Sequence, residues 1–357
     1  MVPRLEISRL VKSFSNLRVV DGISFTIAPG QVTCLLGPSG CGKSTSLRMI
    51  AGVEKPDSGN ICVDGSIISG QRVDILPENR SIGLIFQDFA LFPHLNVYEN
   101  VAFGLKERSV EKKQRINELI ERVGLASFSK KYPHQLSGGE QQRVALIRAL
   151  APKPKIMLMD EPFSGLDDRL RDEIRDETLS VLKEEGTAVL LVTHDPYEAM
   201  CMADEIALMR EGKIVQRGSP YNIYNAPVDR KAAEFFSEIN LIKGHSKGSL
   251  TDTPFGRFLT PGLPDGTEVD IVTRPQHIRI DFDRNGKGPN PTKEEGVAAR
   301  AIVQRSRFTG RESLIEFIMD SDGTNLKASV PAVFLPKKGT ILWLTMRRDR
   351  CFVFPVD

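Results

Sequence analysis

The stretch Gly37-Pro38-Ser39-Gly40-Cys41-Gly42-Lys43-Ser44-Thr45 constrains this chain more than any other. It fits the spacing G-x-x-x-x-G-K-[ST], a loop that wraps the phosphates of a nucleoside triphosphate. The preceding Val32-Thr33-Cys34-Leu35-Leu36 reads as a short buried strand. The following Ser46–Ala51 reads as a helix, with apolar Leu47, Ile50 and Ala51 at helical spacing. The motif thus stands in the strand–loop–helix setting that its chemistry requires, which an ordinary glycine-rich turn would not need. Glycines let backbone N–H groups turn inward without Cβ clashes. The helix N-terminus adds partial positive charge. Lys43 supplies a point charge at the β and γ phosphates, and Ser44 a hydroxyl ligand for Mg²⁺.

A second set of residues suggests that the bound nucleotide is also hydrolysed. Ile156-Met157-Leu158-Met159 is an unbroken apolar run of the kind a central parallel strand needs, and it ends in Asp160-Glu161-Pro162. Alone, the acidic pair also fits the exposed start of a helix. Facing a phosphate loop, Asp160 can hold the Mg²⁺ shell and Glu161 can polarise the attacking water. Upstream, Ser137 stands three residues before Glu140, a capping box opening the amphipathic stretch Val144–Leu150. Gly138 and Gly139 at that helix start weaken the helix but open its backbone to an anion.

Together these residues resemble the ATP-binding cassette (ABC) ATPases. Leu136-Ser137-Gly138-Gly139-Glu140-Gln141-Gln142-Arg143 looks like that family's signature motif. The other marks stand in the family's order over residues 5–235: Gln87 in Ile85-Phe86-Gln87-Asp88, Ser164-Gly165-Leu166-Asp167, and His194 in Leu191-Val192-Thr193-His194-Asp195. The resemblance implies an α/β P-loop cassette over 1–235, with a RecA-like core, an antiparallel β subdomain and a helical subdomain at about 88–150. It also implies a composite site: two cassettes pair head to tail, and each ATP lies between one P-loop and the partner's signature. Since the chain carries one of each, a second copy of itself is the simplest partner. Carried over, Glu161 is the general base, His194 the switch at the γ-phosphate, and Gln87 the sensor of Mg²⁺ and water. Ser137, Gly138 and Gly139 grip the γ-phosphate held by the partner's P-loop, and Asp167 lies at the dimer seam. Phe14 falls where an aromatic stacks on adenine, with phenylalanine in place of the more usual tyrosine. Gly165 replaces the commoner alanine.

Length and charge narrow the partners. At 357 residues the chain is long enough for two domains. With 48 basic and 46 acidic side chains its net charge is +2, which offers no electrostatic case for nucleic acid. No apolar run approaches the ~18–20 residues that cross a bilayer, and the N-terminus lacks a secretory apolar core, so a cytosolic protein is expected. Five scattered cysteines suit neither disulfides nor zinc. Cys41 reads as a small filler in the loop, with an incidental risk of alkylation or oxidation.

Between Gln87 and Ser137, Phe89, Leu91, Phe92 and Val97 are expected to offer an apolar groove to another protein's helix, or else to form subdomain core. The stretch 110–123 predicts a half-buried helix through residues 116, 119, 120 and 123. The string resembles the docking region of importer ATPases. Residues 236–357 are dense in Gly, Pro and short β-like runs, and resemble the duplicated small β-barrel (TOBE-like) domain of maltose-, sulfate-, polyamine- and iron-type importer ATPases. Arg274-Pro275-Gln276 matches that domain's turn, with Gln276 where an acid is commoner. Segments 271–280 and 344–354 echo each other as strand, basic turn, strand. Residues 283–296 read as a flexible loop by composition.

The resemblance therefore implies an ATPase subunit peripheral to the cytoplasmic face of a membrane, working with transmembrane permease subunits and, through them, a solute-binding protein. Translation-type ABC proteins carry two cassettes and repair types long heptad coils, and this chain shows neither. The short Pro93–Val97 segment and C-terminal domain lean towards ferric iron as cargo, with polyamine, thiamine, sulfate and sugar import open.

Overall fold

A computed structural model describes residues 2–105, 109–166, 168–283, 286–293 and 295–356, with backbone alone for 168–170. Two compact units divide it, Met1–Ile223 and Tyr224–Asp357. The first begins with a hairpin, β1 (Leu5–Phe14) and β2 (Leu17–Ile27), then β3 (Val32–Leu36) and α1 (Lys43–Ala51). Next come β4 (Ser58–Val63), β5 (Ser66–Ser69), β6 (Ile82–Ile85), α2 (Val97–Ala102), α3 (Val110–Arg122), α4 (Gly138–Leu150) and β7 (Ile156–Asp160). The unit continues through α5 (Asp168–Glu184), β8 (Ala188–Thr193), α6 (Pro196–Met202), β9 (Glu205–Arg210) and β10 (Lys213–Gly218), and α7 (Pro220–Asn225) spans the division.

β3, β7 and β8 are buried at every residue, as strands covered on both faces must be. They lie in a six-stranded sheet ordered β10-β9-β3-β8-β7-β6, in which only the β9–β10 pair is antiparallel. Its register sets Leu36 opposite Thr193, Asp160 opposite Val192 and Met159 opposite Ile85. Four strands therefore finish level, and the segments leaving them are delivered to one edge, where open α/β sheets place their ligands. A second, antiparallel sheet runs β2-β1-β4-β5. Leu5, Ile7 and Phe25 from it share one core with Leu47 of α1 and with Leu35, Leu158 and Leu190 of the larger sheet. Buried Arg80 stops α1 by donating to Met49 O and Ile50 O, both at 2.9 Å, and to Asp74 at 2.9 Å. α3 buries Ile116, Leu119, Ile120 and the adjoining Val123, the stripe its periodicity predicts.

The second unit holds α8 (Arg230–Phe236) and the strands β11 (Asn240–Lys247), β12 (Leu250–Thr253), β13 (Gly256–Leu259), β14 (Glu268–Thr273), β15 (Ile278–Phe282), β16 (Ala299–Phe308), β17 (Ser313–Met319), β18 (Asn325–Val330), β19 (Ile341–Met346) and β20 (Phe352–Pro355). They form two antiparallel sheets, β13-β12-β11-β14-β20 and β15-β19-β16-β17-β18, over a shared core that includes Ile242, Ile271, Phe317 and Leu344. The sequence echo has a structural form. β14, a 3₁₀ turn at Pro275–His277 and β15 match β19, a 3₁₀ turn at Arg348–Arg350 and β20. Each copy lends one strand to the other's sheet, since β14 pairs with β20 and β15 with β19.

Two sequence expectations need revision here. The division falls before α8, not at 235/236, because α8 is tied into the second unit: Arg230 Nη1 meets Asp270 Oδ2 at 2.9 Å. Fully buried Arg274 likewise donates to Ser237 Oγ at 2.8 Å and Tyr224 O at 2.7 Å, with its guanidinium 3.4 Å from the centre of the Tyr224 ring. Within 283–296 the described residues Asp283, Gly288 and Glu295 are anchored, not free. Asp283 Oδ1 accepts from Trp343 Nε1 at 2.7 Å, and Gly288 sits so close to that indole that a Cβ would approach it to 2.5 Å. Glu295 accepts from Thr345 Oγ1 at 3.2 Å and pairs with Arg279.

Candidate active site

At the level edge of the large sheet, the chain leaves β3 through the phosphate loop. Its shape depends on glycine at two close approaches. A Cβ on Gly37 would lie 2.1 Å from Met209 O, and one on Gly42, at φ +104°, 2.3 Å from Val19 O. Pro38, Ser39 and Gly40 are exposed on the rim, while Gly42 and Lys43 are buried and Ser44 and Thr45 half-buried. Lys43 Nζ donates to Gly37 O at 2.8 Å and Pro38 O at 2.9 Å, so the ammonium lies inside the loop's own curve. Cys41 Sγ is 3.9 Å from that nitrogen, and burial pushes its thiol up. With only 6% of the residue exposed, the incidental risk of alkylation or oxidation read from the sequence is reduced.

Ser44 Oγ donates to Asp160 Oδ1 at 2.8 Å, which joins the first turn of α1 to the end of β7. Burial raises the Asp160 carboxyl above its ordinary range, and the Ser44 bond opposes that rise. A hydroxyl and a carboxylate in contact are the hard oxygen donors that suit Mg²⁺, an ion that otherwise keeps waters and phosphate oxygens. Gln87 lies exposed just beyond the end of β6.

Next to Asp160, Glu161 adopts φ 46°, in the left-handed region that non-glycine residues rarely occupy. The turn is held by Glu161 N donating to Val192 O at 2.9 Å and Ser164 Oγ donating to Glu161 O at 3.0 Å. It brings the Glu161 carboxylate to His194, with Oε2 3.0 Å from Nδ1. His194 is 52% exposed and Glu161 only 18%, so the pair offers an open imidazole beside a sheltered carboxylate. A cleft of about 140 Å³ lies here, lined by Glu161, Phe163, Ser164, Thr193, His194 and Glu198 among others.

Other predicted residues stand apart. Ser137 caps α4 in the expected box: its Oγ accepts from Glu140 N at 3.3 Å, and its N–H donates to Glu140 Oε2 at 2.7 Å. Ser137 and Gly138 are exposed, and among the described residues no hydrogen bond joins Ser137–Gly139 to the phosphate loop. Phe14 ends β1 with 46% of its surface exposed and Lys12 Nζ 5.2 Å from its ring centre. Asp167 lies outside the described residues.

In the segment after Gln87 the core alternative holds for Val97, and Phe103 and Arg148 are residues that sequence reasoning did not single out. Val97 is core, 1% exposed at the start of α2, and cannot serve a docking surface. Phe103 is the exposed aromatic instead, at 62%, packed on Phe92 with ring centres 4.2 Å apart. It lines a groove of about 740 Å³ with Leu95, Tyr98, Ala102, Leu105 and Ile116. Arg148, near the end of α4, donates to Ala90 O at 2.7 Å and Phe89 O at 2.9 Å. Phe89 and Ala90 are themselves left-handed, at φ 60° and 45°, so the signature helix clasps the turn just after Gln87.

A parallel sheet that delivers a glycine loop, a hydroxyl–carboxylate pair and a carboxylate–imidazole pair to one edge is the site of a P-loop ATPase. The chain belongs to the ATP-binding proteins of the ABC transporter family. The family's own profile, described as ABC transporter, matches residues 20–164. A profile for an AAA domain, described as a putative AbiEii toxin of a type IV toxin–antitoxin system, overlaps it over residues 130–200. The chain is 45% identical to the putrescine transport ATP-binding protein PotG of Escherichia coli (strain K12), covering 100% of this chain and 96% of that one. It is 42% identical to the Fe(3+) ions import ATP-binding protein FbpC 2 of Pectobacterium atrosepticum, covering 93% and 94%. It is 41% identical to the spermidine/putrescine import ATP-binding protein PotA of Acetivibrio thermocellus, covering 78% and 80%. Among solved structures it is similar to the dimeric post-hydrolysis state of the ATP-binding cassette MJ0796 bound to ADP and Pi. That likeness has TM-score 0.54 and 30% identity, covering 60% of this chain and 98% of that one. A nucleotide-free ATP-binding cassette from an ABC transporter gives TM-score 0.58 and 26% identity, covering 66% and 99%.

Proposed function

We propose that this protein is the ATP-hydrolysing subunit of an ABC importer for ferric iron or a polyamine, working as a head-to-tail homodimer on the cytoplasmic face of the membrane. The observation that carries the reading is the Glu161–His194 contact beside the Ser44–Asp160 pair. One carboxylate is sheltered and aimed at an imidazole, and the other is bonded to the phosphate-loop hydroxyl. In this reading Glu161 takes the proton of the attacking water and His194 holds that carboxylate while facing the γ-phosphate. Lys43 and the loop amides neutralise the transferred group. Ser44, Asp160 and Gln87 would hold Mg²⁺, which supplies charge neutralisation at the phosphates when bound. Phe14 would stack on adenine. Ser137–Gly139, of which Ser137 and Gly138 are exposed, and which share no hydrogen bond with their own loop among the described residues, would close on the ATP of the second copy, with Asp167 at the seam. Import with permease subunits and a solute-binding protein is supported by the roles that the relatives' names carry, whose cargoes include both Fe(3+) and polyamines. The groove beside Phe103 would receive the permease helix. The all-β second unit resembles the TOBE-like domain of such importers.

The composite site has a direct test. A Lys43→Ala chain mixed with a Ser137→Arg chain leaves one intact loop–signature pair per mixed dimer, so ATPase activity should return on mixing two inactive proteins. If mixed dimers demonstrably form and no ratio restores hydrolysis, the shared site is wrong. Radiolabelled Fe(3+) and putrescine uptake by the reconstituted transporter would separate the two cargoes.

A further inference from the structure

Arg148 lies in the last turn of α4, where a cation ordinarily steadies its own helix by facing the final carbonyls. Its guanidinium instead reaches out to another segment. Nη1 donates to Ala90 O at 2.7 Å and Nη2 to Phe89 O at 2.9 Å, one arm of the fork to each carbonyl. The segment it meets carries two successive non-glycine residues in the left-handed region, Phe89 at φ 60° and Ala90 at φ 45°. Neither is of the Asn or Asp type that tolerates that conformation, so the turn needs a hold from outside itself. Phe89 N donates to Phe86 O at 3.0 Å, which makes Gln87 and Asp88 the central residues of a closed turn. Phe89 thus closes the Gln87 turn with its amide and is held by Arg148 through its carbonyl.

The same guanidinium faces the groove. It lies 5.5 Å from the centre of the Phe92 ring, and that ring packs on Phe103 at 4.2 Å. From α2, fully buried Asn100 fixes the backbone of Phe92, accepting from Phe92 N at 2.9 Å and donating to Phe92 O at 3.2 Å and Leu95 O at 2.9 Å. The short segment from Phe89 to Phe92 is therefore held at one end by α4 and at the other by α2. Burial lowers the Arg148 guanidinium below its ordinary range, and no carboxylate opposes that shift. Among the described residues its compensation is two carbonyls and the face of an aromatic ring. An arginine placed for stability alone would be better served by an acid or by water.

We propose that Arg148 is a positioning residue for hydrolysis: by clasping Phe89 and Ala90 it fixes Gln87 at the site, and by lying on Phe92 it ties that position to the groove beside Phe103. The inference rests on the readings of Gln87 and of the groove given above. It adds a group that neither contains, supplied by the helix that begins at Ser137. Arg148 is assigned no contact with nucleotide, so its effect on turnover passes through Gln87. A helix seated on Phe103 presses on the neighbour of the Phe92 ring, and its arrival reaches the Gln87 turn through the same guanidinium. Ser137 lies ~16 Å away along α4 at ~1.5 Å per residue, so its capping box is independent of the clasp.

The test compares steady-state ATP hydrolysis by the full chain as wild type, Arg148→Met, Arg148→Lys, Gln87→Ala and the Arg148→Met/Gln87→Ala double variant. Arg148→Met keeps an unbranched stem without the fork, and kcat should fall about tenfold with KM for ATP within about twofold. Arg148→Lys offers a point charge that cannot span both carbonyls in fork geometry, and should recover only part of the loss. The double variant should be no slower than Gln87→Ala alone; effects that multiply would overturn the inference. Hydrogen–deuterium exchange supplies a readout independent of turnover. Amides of residues 88–91 should exchange faster in Arg148→Met while those of 141–147 in α4 are unchanged, whereas faster exchange throughout α4 would reduce Arg148 to a structural role. With the permease bound, Arg148→Met should assemble but lose the acceleration that wild type gains. Equal acceleration of both would overturn the tie to the groove. Wild-type turnover by Gln87→Ala would overturn the reading of Gln87, and a wild type that the permease neither binds nor accelerates would overturn that of the groove, each taking this inference with it. Should Arg148→Met fail to fold, the turnover and exchange of Arg148→Lys decide.

Discussion

Glu161→Gln separates proton transfer from everything else that Glu161 does. Size and backbone preference are nearly unchanged, so the substituted amide should hold the same left-handed turn at φ 46° and still reach His194 across the 3.0 Å contact. The ability to take a proton is lost. General-base help is typically worth about 10²–10⁴-fold, or about 2.7–5.5 kcal/mol at about 1.4 kcal/mol per factor of ten. Single-turnover phosphate release should slow by that factor, ATP binding should persist, and light scattering should show an ATP-dependent dimer that no longer dissociates. The backbone suggests a control. The left-handed conformation costs an L-residue about 1–2 kcal/mol. Glycine avoids that cost but gives up about 0.5–1 kcal/mol of chain entropy. Glu161→Gly should thus be as inactive as Glu161→Gln and stable to within about 1 kcal/mol of wild type or slightly better. Near-normal hydrolysis by Glu161→Gln would refute the base assignment. A collapse of the melting temperature in Glu161→Gly would refute the account of strain.

Phe103→Asp should leave hydrolysis by the isolated subunit intact and cost at most about 0.5–1.5 kcal/mol, the worth of its packing on Phe92, while abolishing assembly with the permease; a stable complex with this variant would remove the docking role. Brief treatment with a maleimide should label exposed Cys201 and spare Cys41, with ATPase activity retained; peptide mapping that finds Cys41 modified first would contradict its burial.

Local pattern determined the elements whose surroundings it could anticipate. An unbroken apolar run is buried on both faces wherever it lies, so β3 and β7 were legible from composition alone. The phosphate loop was legible because its glycines answer contacts that any such loop makes: Gly42 needs φ +104° and space beneath Val19 O whatever surrounds them. The α3 stripe, the Ser137 capping box and the echo between β14–β15 and β19–β20 are likewise local. Tertiary packing decided the rest. Val97 and Phe103 are both apolar residues at the ends of one short helix, and only the fold makes the first core and the second surface. Residues 283–296 have the composition of a free loop, yet Trp343, distant in sequence, provides an indole face against Gly288 and an N–H that anchors Asp283.

Glu198 is the sharpest case, because its sequence setting points the wrong way. An acid in the first turn of a helix, after an Asp N-cap, has an exposed and dipole-stabilised location as its ordinary explanation. One fact that local sequence does not contain reverses it: α6 packs against β3, β8 and α5, which leaves Glu198 only 4% exposed. The same packing makes the left-handed Glu161 turn tolerable, since Val192 O, one residue before Thr193, accepts the Glu161 amide. The end of β8 therefore borders both partners of the Glu161–His194 contact. Val192 O accepts the Glu161 amide, and Thr193 Oγ1 accepts from Asp195 N beside His194. A change that loosened the end of β8 should for that reason impair turnover more than ATP binding, whose proposed contacts belong to the β3 loop and α1.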